Sequence, residues 1–304
     1  RNNISDITEI KHRIKSIQDT HQITKAMELI SVAKMRKAIQ KQSFSSVYFD
    51  TVRYTLKDIM RHSTDIRHKY IDRRPDNRTA YIVVAGDKGL AGAFNNNVLN
   101  LAWKHMQERP VHYIVTIGQM ARAYFESRKQ PVDLEFTHAV ASPTLHDARG
   151  ITRDILDLYD RNLMDEVYVV FTRMFSTSVH EPVMVKLLPV AEEDIEADLN
   201  TDYSGQIDYD PSPNEVLNVL VPQYLIGMIY SALIHSAASE HAARMMAMSN
   251  ANKNAEKMLD ALNLEYNRLR QSAITTELLD LSSGRFFSDN NLHQKVRHNH
   301  GKSR

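Results

Sequence analysis

The residues best spaced for chemistry are Gly86-Asp87-Lys88-Gly89-Leu90-Ala91-Gly92, directly after the apolar run Tyr81-Ile82-Val83-Val84-Ala85. Glycine-rich turns between a strand and a helix bind phosphates, because backbone N–H groups and the helix N-terminus face the anion. The spacing here is G-x-x-G-x-x-G, whereas the dinucleotide fingerprint needs G-x-G-x-x-G and an acidic residue about 20 positions on. No Gly-Lys-Ser/Thr follows at the distance of a P-loop. Gly86, Gly89 and Gly92 therefore read as structural turn glycines, and the helix N-terminus after them leaves room for an anion or a partner's carboxylate.

Other constellations carry less. Asp133 and Glu135 alternate along a candidate strand, and Glu192, Glu193 and Asp194 are consecutive. Neither arrangement is a positioned acid/base pair. The 14 histidines are scattered without H-E-x-x-H or similar ligand spacing. His21 falls on an apolar helical stripe, where a packed, hydrogen-bonded role is expected rather than a ligand. The chain has no cysteine, which excludes disulfides, thiolate zinc sites, iron–sulfur clusters and a cysteine nucleophile. No catalytic residue, cofactor or metal is expected.

With 304 residues, 42% of them hydrophobic and 25% charged, a soluble globular protein of one or two domains is expected. The net charge of +1 gives no general case for nucleic-acid binding. No run approaches 18 apolar residues, so no membrane-spanning segment is expected. The N-terminal Arg1-Asn2-Asn3-Ile4 lacks an apolar signal core, and no targeting segment is expected.

The elements that must position these residues are legible from missing punctuation. The first Pro is Pro75 and the first Gly is Gly86; neither occurs between Gly227 and Gly284. A helix over 228–283 would span roughly 84 Å at 1.5 Å per residue. A globule of this chain length has a radius of gyration of about 19 Å. Such a helix must project, and it needs a partner for its apolar face. The other terminal helix is the natural partner, so an antiparallel two-helix coil is expected. Its first strand carries Ile7, Ile10, Ile14 and Ile17, then slips to Ile23, Met27 and Ile30. Its second carries Ala255, Leu259, Leu262, Tyr266, Leu269 and Ala273. The alanine-rich stretch 231–247 lets backbones approach closely. Ser212-Pro213-Asn214-Glu215 reads as a capping box opening the last helix, with Pro222 interrupting or kinking it near Val221.

Between the ends the period changes. Apolar β-rich runs at 81–85, 113–117, 167–171 and 183–187 alternate with helical segments at about 88–107, 119–129 and 143–162, the last started by Ser142-Pro143. That alternation implies a mainly parallel sheet covered on both faces. The expected fold class is α+α/β: a long antiparallel two-helix coiled coil plus a central Rossmann-like α/β domain. The expected segments are an N-terminal helix (1–74), the central domain (75–200), a C-terminal helix with its preceding polar loop (201–284) and a basic, disordered tail (285–304).

Ile14-Lys15-Ser16-Ile17, Ile23-Thr24-Lys25-Ala26-Met27-Glu28-Leu29 and Ala33-Lys34-Met35-Arg36-Lys37-Ala38 resemble the N-terminal helix of the gamma subunits of rotary F-type ATP synthases. Gly86 to Asn95 resembles that family's central signature. Ser239-Glu240-His241-Ala242-Ala243-Arg244-Met245-Met246-Ala247-Met248 and Tyr266-Asn267-Arg268-Leu269-Arg270-Gln271-Ser272-Ala273-Ile274-Thr275 are similar to its C-terminal helix, and Glu277-Leu278-Leu279 to Ser283-Gly284 also fits. The resemblance covers 1–284 in order.

It implies a non-catalytic central stalk, one copy per complex, whose coil sits inside a hexameric ring of alpha and beta subunits and couples ion flow to ATP synthesis or hydrolysis. The epsilon subunit and the c-ring are the implied partners of the globular part, and the cytoplasmic side of a bacterial membrane is the implied location. Lys25 and Met27 match the part of the first helix facing the beta subunits' acidic lever. Lys25, Lys34, Arg36, Lys37 and Lys41, against Glu28 alone in 25–41, suit such a partner. Arg270 and Gln271 match the pair that catches a beta-subunit loop, Thr275 a neighbour in the upper bearing, and Arg244 a position coupled to the first helix. Two departures stand out. The chain lacks the cysteine pair of plant-type relatives, and residues 285–304 run past the usual family end. A nucleotide-dependent enzyme on the central domain and a static coiled-coil scaffold are the rival readings.

Overall fold

Two very long helices bracket a five-stranded sheet. The computed structural model describes residues 2–62, 67–75, 78–109, 111–137, 140–195 and 212–299, with the backbone alone for 2–5, 42–47, 277, 280 and 281–299. Most of the predicted polar loop, at 196–211, and the last tail residues, at 300–304, lie outside the described residues. In chain order the elements are α1 (Asn2–His62), β1 (Thr79–Val84), α2 (Phe94–Met106), β2 (His112–Ile117), α3 (Gln119–Ser127), β3 (Leu134–Phe136), α4 (Leu145–Asp160), β4 (Glu166–Met174), β5 (His180–Leu188), a 3-10 turn (Glu192–Asp194) and α5 (Pro213–Asn299). The chain divides into two units, Arg1–Ala26 with Ser249–Arg304, and Met27–Met248. Both long helices contribute to both units.

In the Met27–Met248 unit the sheet order is β3-β2-β1-β4-β5. The first four strands are parallel, and β5 returns antiparallel to β4. Parallel strands covered on both faces need apolar residues throughout, and all six residues of β1 are buried. Its alternating side chains serve two cores. Ala80, Ile82 and Val84 join Leu56 and Ile59 of α1, Ile151 and Ile155 of α4, and Leu217 to Leu233 of α5. Tyr81, Val83 and Ala85 join Val98, Leu99 and Met106 of α2 and Phe125 of α3.

Element ends differ from expectation where local bonds decide. α2 begins at Phe94 rather than near 88, because Leu90 and Gly92 hold left-handed φ angles of 63° and 57° that no helix continues through. α4 is capped by Thr144, not Ser142: Thr144 Oγ1 accepts from the Asp147 N–H at 3.2 Å, and the Asp147 carboxylate accepts from the Thr144 N–H at 2.9 Å. α5 does open at Ser212, whose hydroxyl accepts from the Glu215 N–H at 3.3 Å. It then runs through Pro222 without ending, and through Gly284 to Asn299, over most of the segment expected to be disordered. No Gly or Pro lies between 285 and 299 to stop it.

α5 also contains an 18-residue window of mean hydropathy 1.6, long and apolar enough to cross a membrane by length and composition, against the expectation that none existed. Its apolar residues from Leu217 to Leu233 form the sheet-covering core instead. α5 meets β4 through small residues: the Thr172 N–H donates to Ser236 Oγ and Ser239 Oγ donates to the Thr172 carbonyl, each at 3.3 Å. Gly227 allows α1 to pack on α5, since a Cβ there would lie 2.4 Å from the Phe49 ring. Gly227→Ala is expected to cost about 1–3 kcal/mol by overpacking. Urea unfolding checks this, and combining it with Phe49→Leu should restore part of the loss.

In the unit of Arg1–Ala26 and Ser249–Arg304, α1 and α5 run antiparallel, with Thr24 against Asn252, His21 against Glu256 and Lys11 over Tyr266. On α5 Ala255, Leu259, Leu262, Tyr266, Leu269 and Ala273 are buried or half-buried, at the spacing read from sequence, after Ser249, Ala251 and Asn252. On α1 the seam is Ile7, Ile10, Ile14, Ile17, His21 and Thr24, while Ile23 is exposed. The same heptad continues in the other unit as Glu28, Ser31, Met35 and Ala38, and Ile30 is exposed there. Of the predicted slip to Ile23, Met27 and Ile30, only Met27 is half-buried; Ile23 and Ile30 are exposed, and polar Thr24, Glu28 and Ser31 take the covered positions.

Candidate functional site

The turn after β1 lies at the C-terminal ends of the parallel strands, the place where open α/β sheets bind ligands. Here α5 fills it. The Glu240 carboxyl carbon lies 2.9 Å from where a Cβ on Gly86 would stand, so any side chain there would have to displace that carboxylate from its bond to Arg244. Arg244, one helical turn on, donates to Glu240 Oε1 at 2.5 Å, to the Gly89 carbonyl at 3.1 Å and to the Lys88 carbonyl at 3.5 Å. Asn95 completes the clamp: its Oδ1 accepts from the Gly86 N–H at 2.8 Å, and its Nδ2 donates to the Lys88 carbonyl at 3.3 Å. Gly92 supplies a left-handed φ, whereas a Cβ on Gly89 would meet nothing within 4 Å.

Both charged partners are nearly out of water, with side chains 8% (Glu240) and 12% (Arg244) exposed. Burial pushes the Glu240 carboxyl above its ordinary range, against the pull of Arg244. His241 is buried beside them; burial, with the Arg244 and Lys34 charges adding, lowers its pKa to about 4 and keeps it neutral at pH 7. The arrangement can fasten α5 to the strand end. It leaves no space between Gly86 and α5 for a dinucleotide.

The predicted contact residues lie elsewhere. Lys25 and Arg36 are exposed on α1, and Met27 is half-buried. Arg270, Gln271 and Thr275 are exposed on α5, with Thr275 Oγ1 donating to the Gln271 carbonyl at 2.9 Å. Arg244 differs from these in facing inward. His21 packs in the seam 3.5 Å from the Glu256 carboxylate. Among the described residues no histidine, cysteine or carboxylate cluster could hold a metal ion.

Sequence reasoning missed Glu240, His241 and Asn95 as a group. The available signal was the Glu240–Arg244 spacing of four within a run of Ala and Ser, which places an ion pair on the tightly packed face of the helix.

Comparison with known proteins fits this layout. The family model described as ATP synthase matches residues 6–285. The ATP synthase gamma chain of Alkaliphilus metalliredigens is 42% identical over 278 residues, covering 91% of this chain and 96% of that one. That of Ruminiclostridium cellulolyticum is 42% identical over 287 residues, covering 92% and 98%. A sodium-ion-specific gamma chain of Acetobacterium woodii is 34% identical, covering 92% and 97%. Among solved structures, a chain of the Euglena gracilis mitochondrial ATP synthase superposes with a TM-score of 0.65 at 16% identity, covering 96% of each chain. One from the central stalk and c-ring of the Tetrahymena thermophila enzyme gives 0.56 at 19% identity, covering 75% of this chain and 99% of that one. The structural likeness supports the α+α/β fold, and with the family match and the gamma-chain relatives it leads to one assignment: the chain belongs to the ATP synthase gamma-chain family.

Proposed function

We propose that this chain is the central stalk of a bacterial-type rotary ATP synthase, turning within a ring of alpha and beta subunits and performing no chemistry itself. The observation that carries the reading is the helix pair of the Arg1–Ala26 and Ser249–Arg304 unit. Its seam buries or half-buries one stripe of each helix, yet Ile23, Met258, Leu264 and Ile274 stay exposed along it. Apolar side chains on a solvated rod mark an enclosing partner. A single asymmetric rod meeting several copies of one pocket-bearing subunit stabilises a different pocket conformation in each. Turning the rod then shifts which conformation is favoured, by its differential contacts.

The exposed Lys25 and Arg36, with Met27, form the proposed contact to an acidic lever of the beta subunits. Arg270, Gln271 and Thr275 form the proposed contact at the bearing, where the Arg270 guanidinium suits a carboxylate through its forked donors. Arg244 acts differently, as a positioning residue that holds the turn 86–92 against α5. The epsilon subunit and the c-ring bind the α/β unit in this reading, and the complex lies on the cytoplasmic side of the membrane. A nucleotide enzyme built on the sheet is disfavoured, because Glu240 and Arg244 occupy the crevice such a ligand would need.

Native mass spectrometry of the chain mixed with alpha and beta subunits tests the assembly: one copy per hexameric ring is expected, and rings that never take up the chain would refute it. Arg270→Ala with Gln271→Ala is expected to weaken uptake by about 2 kcal/mol or more if the pair is a binding hot spot. Competition against the unsubstituted chain measures that loss.

A further inference from the structure

We propose that the cavity between α1, the segment leading into α4, and α5 is a binding site for a small diphosphate-bearing anion. The cavity measures about 270 Å³, and Lys34, Lys37 and Lys41 line one wall. Their spacing of three and four places all three ammonium groups on one face of α1. No carboxylate lines the cavity. Two acids lie close by and both are engaged: Glu240 is bonded to Arg244, and the Asp147 carboxylate accepts from the Thr144 N–H and hydroxyl. Neither Lys34 nor Lys37 has an ion-pair partner among the described residues.

Lys41 is held at the rim, donating to the Pro143 carbonyl at 2.8 Å and to Ser142 Oγ at 3.3 Å. That contact fixes its charge beside the cavity. Its apolar floor is formed by the buried Ala38 and Ala237. Three like charges on one helical face repel one another, and an anion shared among them relieves that repulsion. Lysine binds phosphate as a point charge and needs no forked geometry. Pockets that enclose drug-sized ligands begin at about 300 Å³, so this cavity suits a diphosphate group better than a whole nucleotide. The cavity shares His241 with the surroundings of the Glu240–Arg244 pair but lies outside the crevice that this pair fills.

Calorimetric titration of the full chain with pyrophosphate at low ionic strength tests the proposal. One saturable site is expected, weakened by added salt. Lys34→Gln with Lys37→Gln should weaken it at least tenfold with an unchanged circular dichroism spectrum, since both side chains are exposed. Lys253→Gln, an exposed lysine of the other unit, should leave it unchanged. ADP should bind more weakly than pyrophosphate, and adenosine not at all. Any of four results would overturn the proposal: no saturable heat, binding indifferent to the double substitution, an equal loss with Lys253→Gln, or ADP binding tighter than pyrophosphate.

Discussion

Arg244→Ala is expected to destabilise the Met27–Met248 unit by about 3–5 kcal/mol, the usual cost of leaving one charge of a buried pair unpartnered. The substitution removes the partner of a carboxylate that is 8% exposed, together with two hydrogen bonds to the carbonyls of Lys88 and Gly89. A pH signature separates this mechanism from a mere loss of packing. Burial already raises the Glu240 pKa above its ordinary 4.5, with Arg244 opposing. A carboxyl whose pKa is raised by folding contributes stability that is fully present below the unfolded value. That stability is lost as pH rises through the folded value. Without Arg244 the folded pKa climbs further, so the variant should lose most at neutral pH and less below 4.5. Urea midpoints measured across that range check this, and a pH-independent loss would speak against it. Glu240→Gln should flatten the wild-type dependence over the same window.

Gly118→Ala is the second large effect. Gly118 precedes α3 with a φ of 96°, and a Cβ there would sit 2.1 Å from the Ala85 carbonyl oxygen. That oxygen belongs to backbone packed in the sheet, so it cannot yield as a side-chain tip would. The surroundings are fixed as well: the Gly118 N–H donates to the Phe136 carbonyl at 3.3 Å, and the Met120 N–H donates to the Gly86 carbonyl at 3.0 Å. Strain at a left-handed residue and a backbone clash act together, and the expected loss exceeds about 4 kcal/mol. Soluble yield and thermal unfolding read the result; a variant that melts within a few degrees of the parent would contradict it.

The long helices, the parallel sheet and the seam of α5 were legible because their signals are local. Missing Gly and Pro set the helices, β-branched runs set the strands, and Ala255 to Ala273 repeat at helical spacing. The seam of α1 was legible as an apolar repeat to Ile17, with His21 read on the same stripe. Beyond Ile17 the heptad positions are His21, Thr24 and Ser31, so hydrophobicity pointed to Ile23 and Ile30, which are exposed. Those two isoleucines suit a surface covered by another chain, and a single sequence cannot separate a seam within the chain from one between chains. The turn 88–93 reads as helix because Lys88, Leu90 and Ala91 are good helix formers. Left-handed backbone at Leu90 and Gly92, held by Asn95 and Arg244 from a distance, overrides that preference.

Glu240 was invisible for a related reason. A glutamate among alanines and serines reads as a solvated position until α5 is known to cross the end of β1. The G-x-x-G-x-x-G spacing was informative in what it excluded. Gly86 is there to admit a carboxylate from the chain's own helix, and the crevice that a cofactor would use is filled by the pair that fastens α5 in place.

As a central stalk, this chain makes a ring of alpha and beta subunits a coupled motor. The most direct test is to add the full chain to purified alpha and beta subunits and measure ATP hydrolysis. A clear gain in turnover is expected when the chain is present, reduced by Arg270→Ala with Gln271→Ala. Hydrolysis unchanged by the chain, with the chain folded and alpha and beta competent, would contradict it and favour a static scaffold.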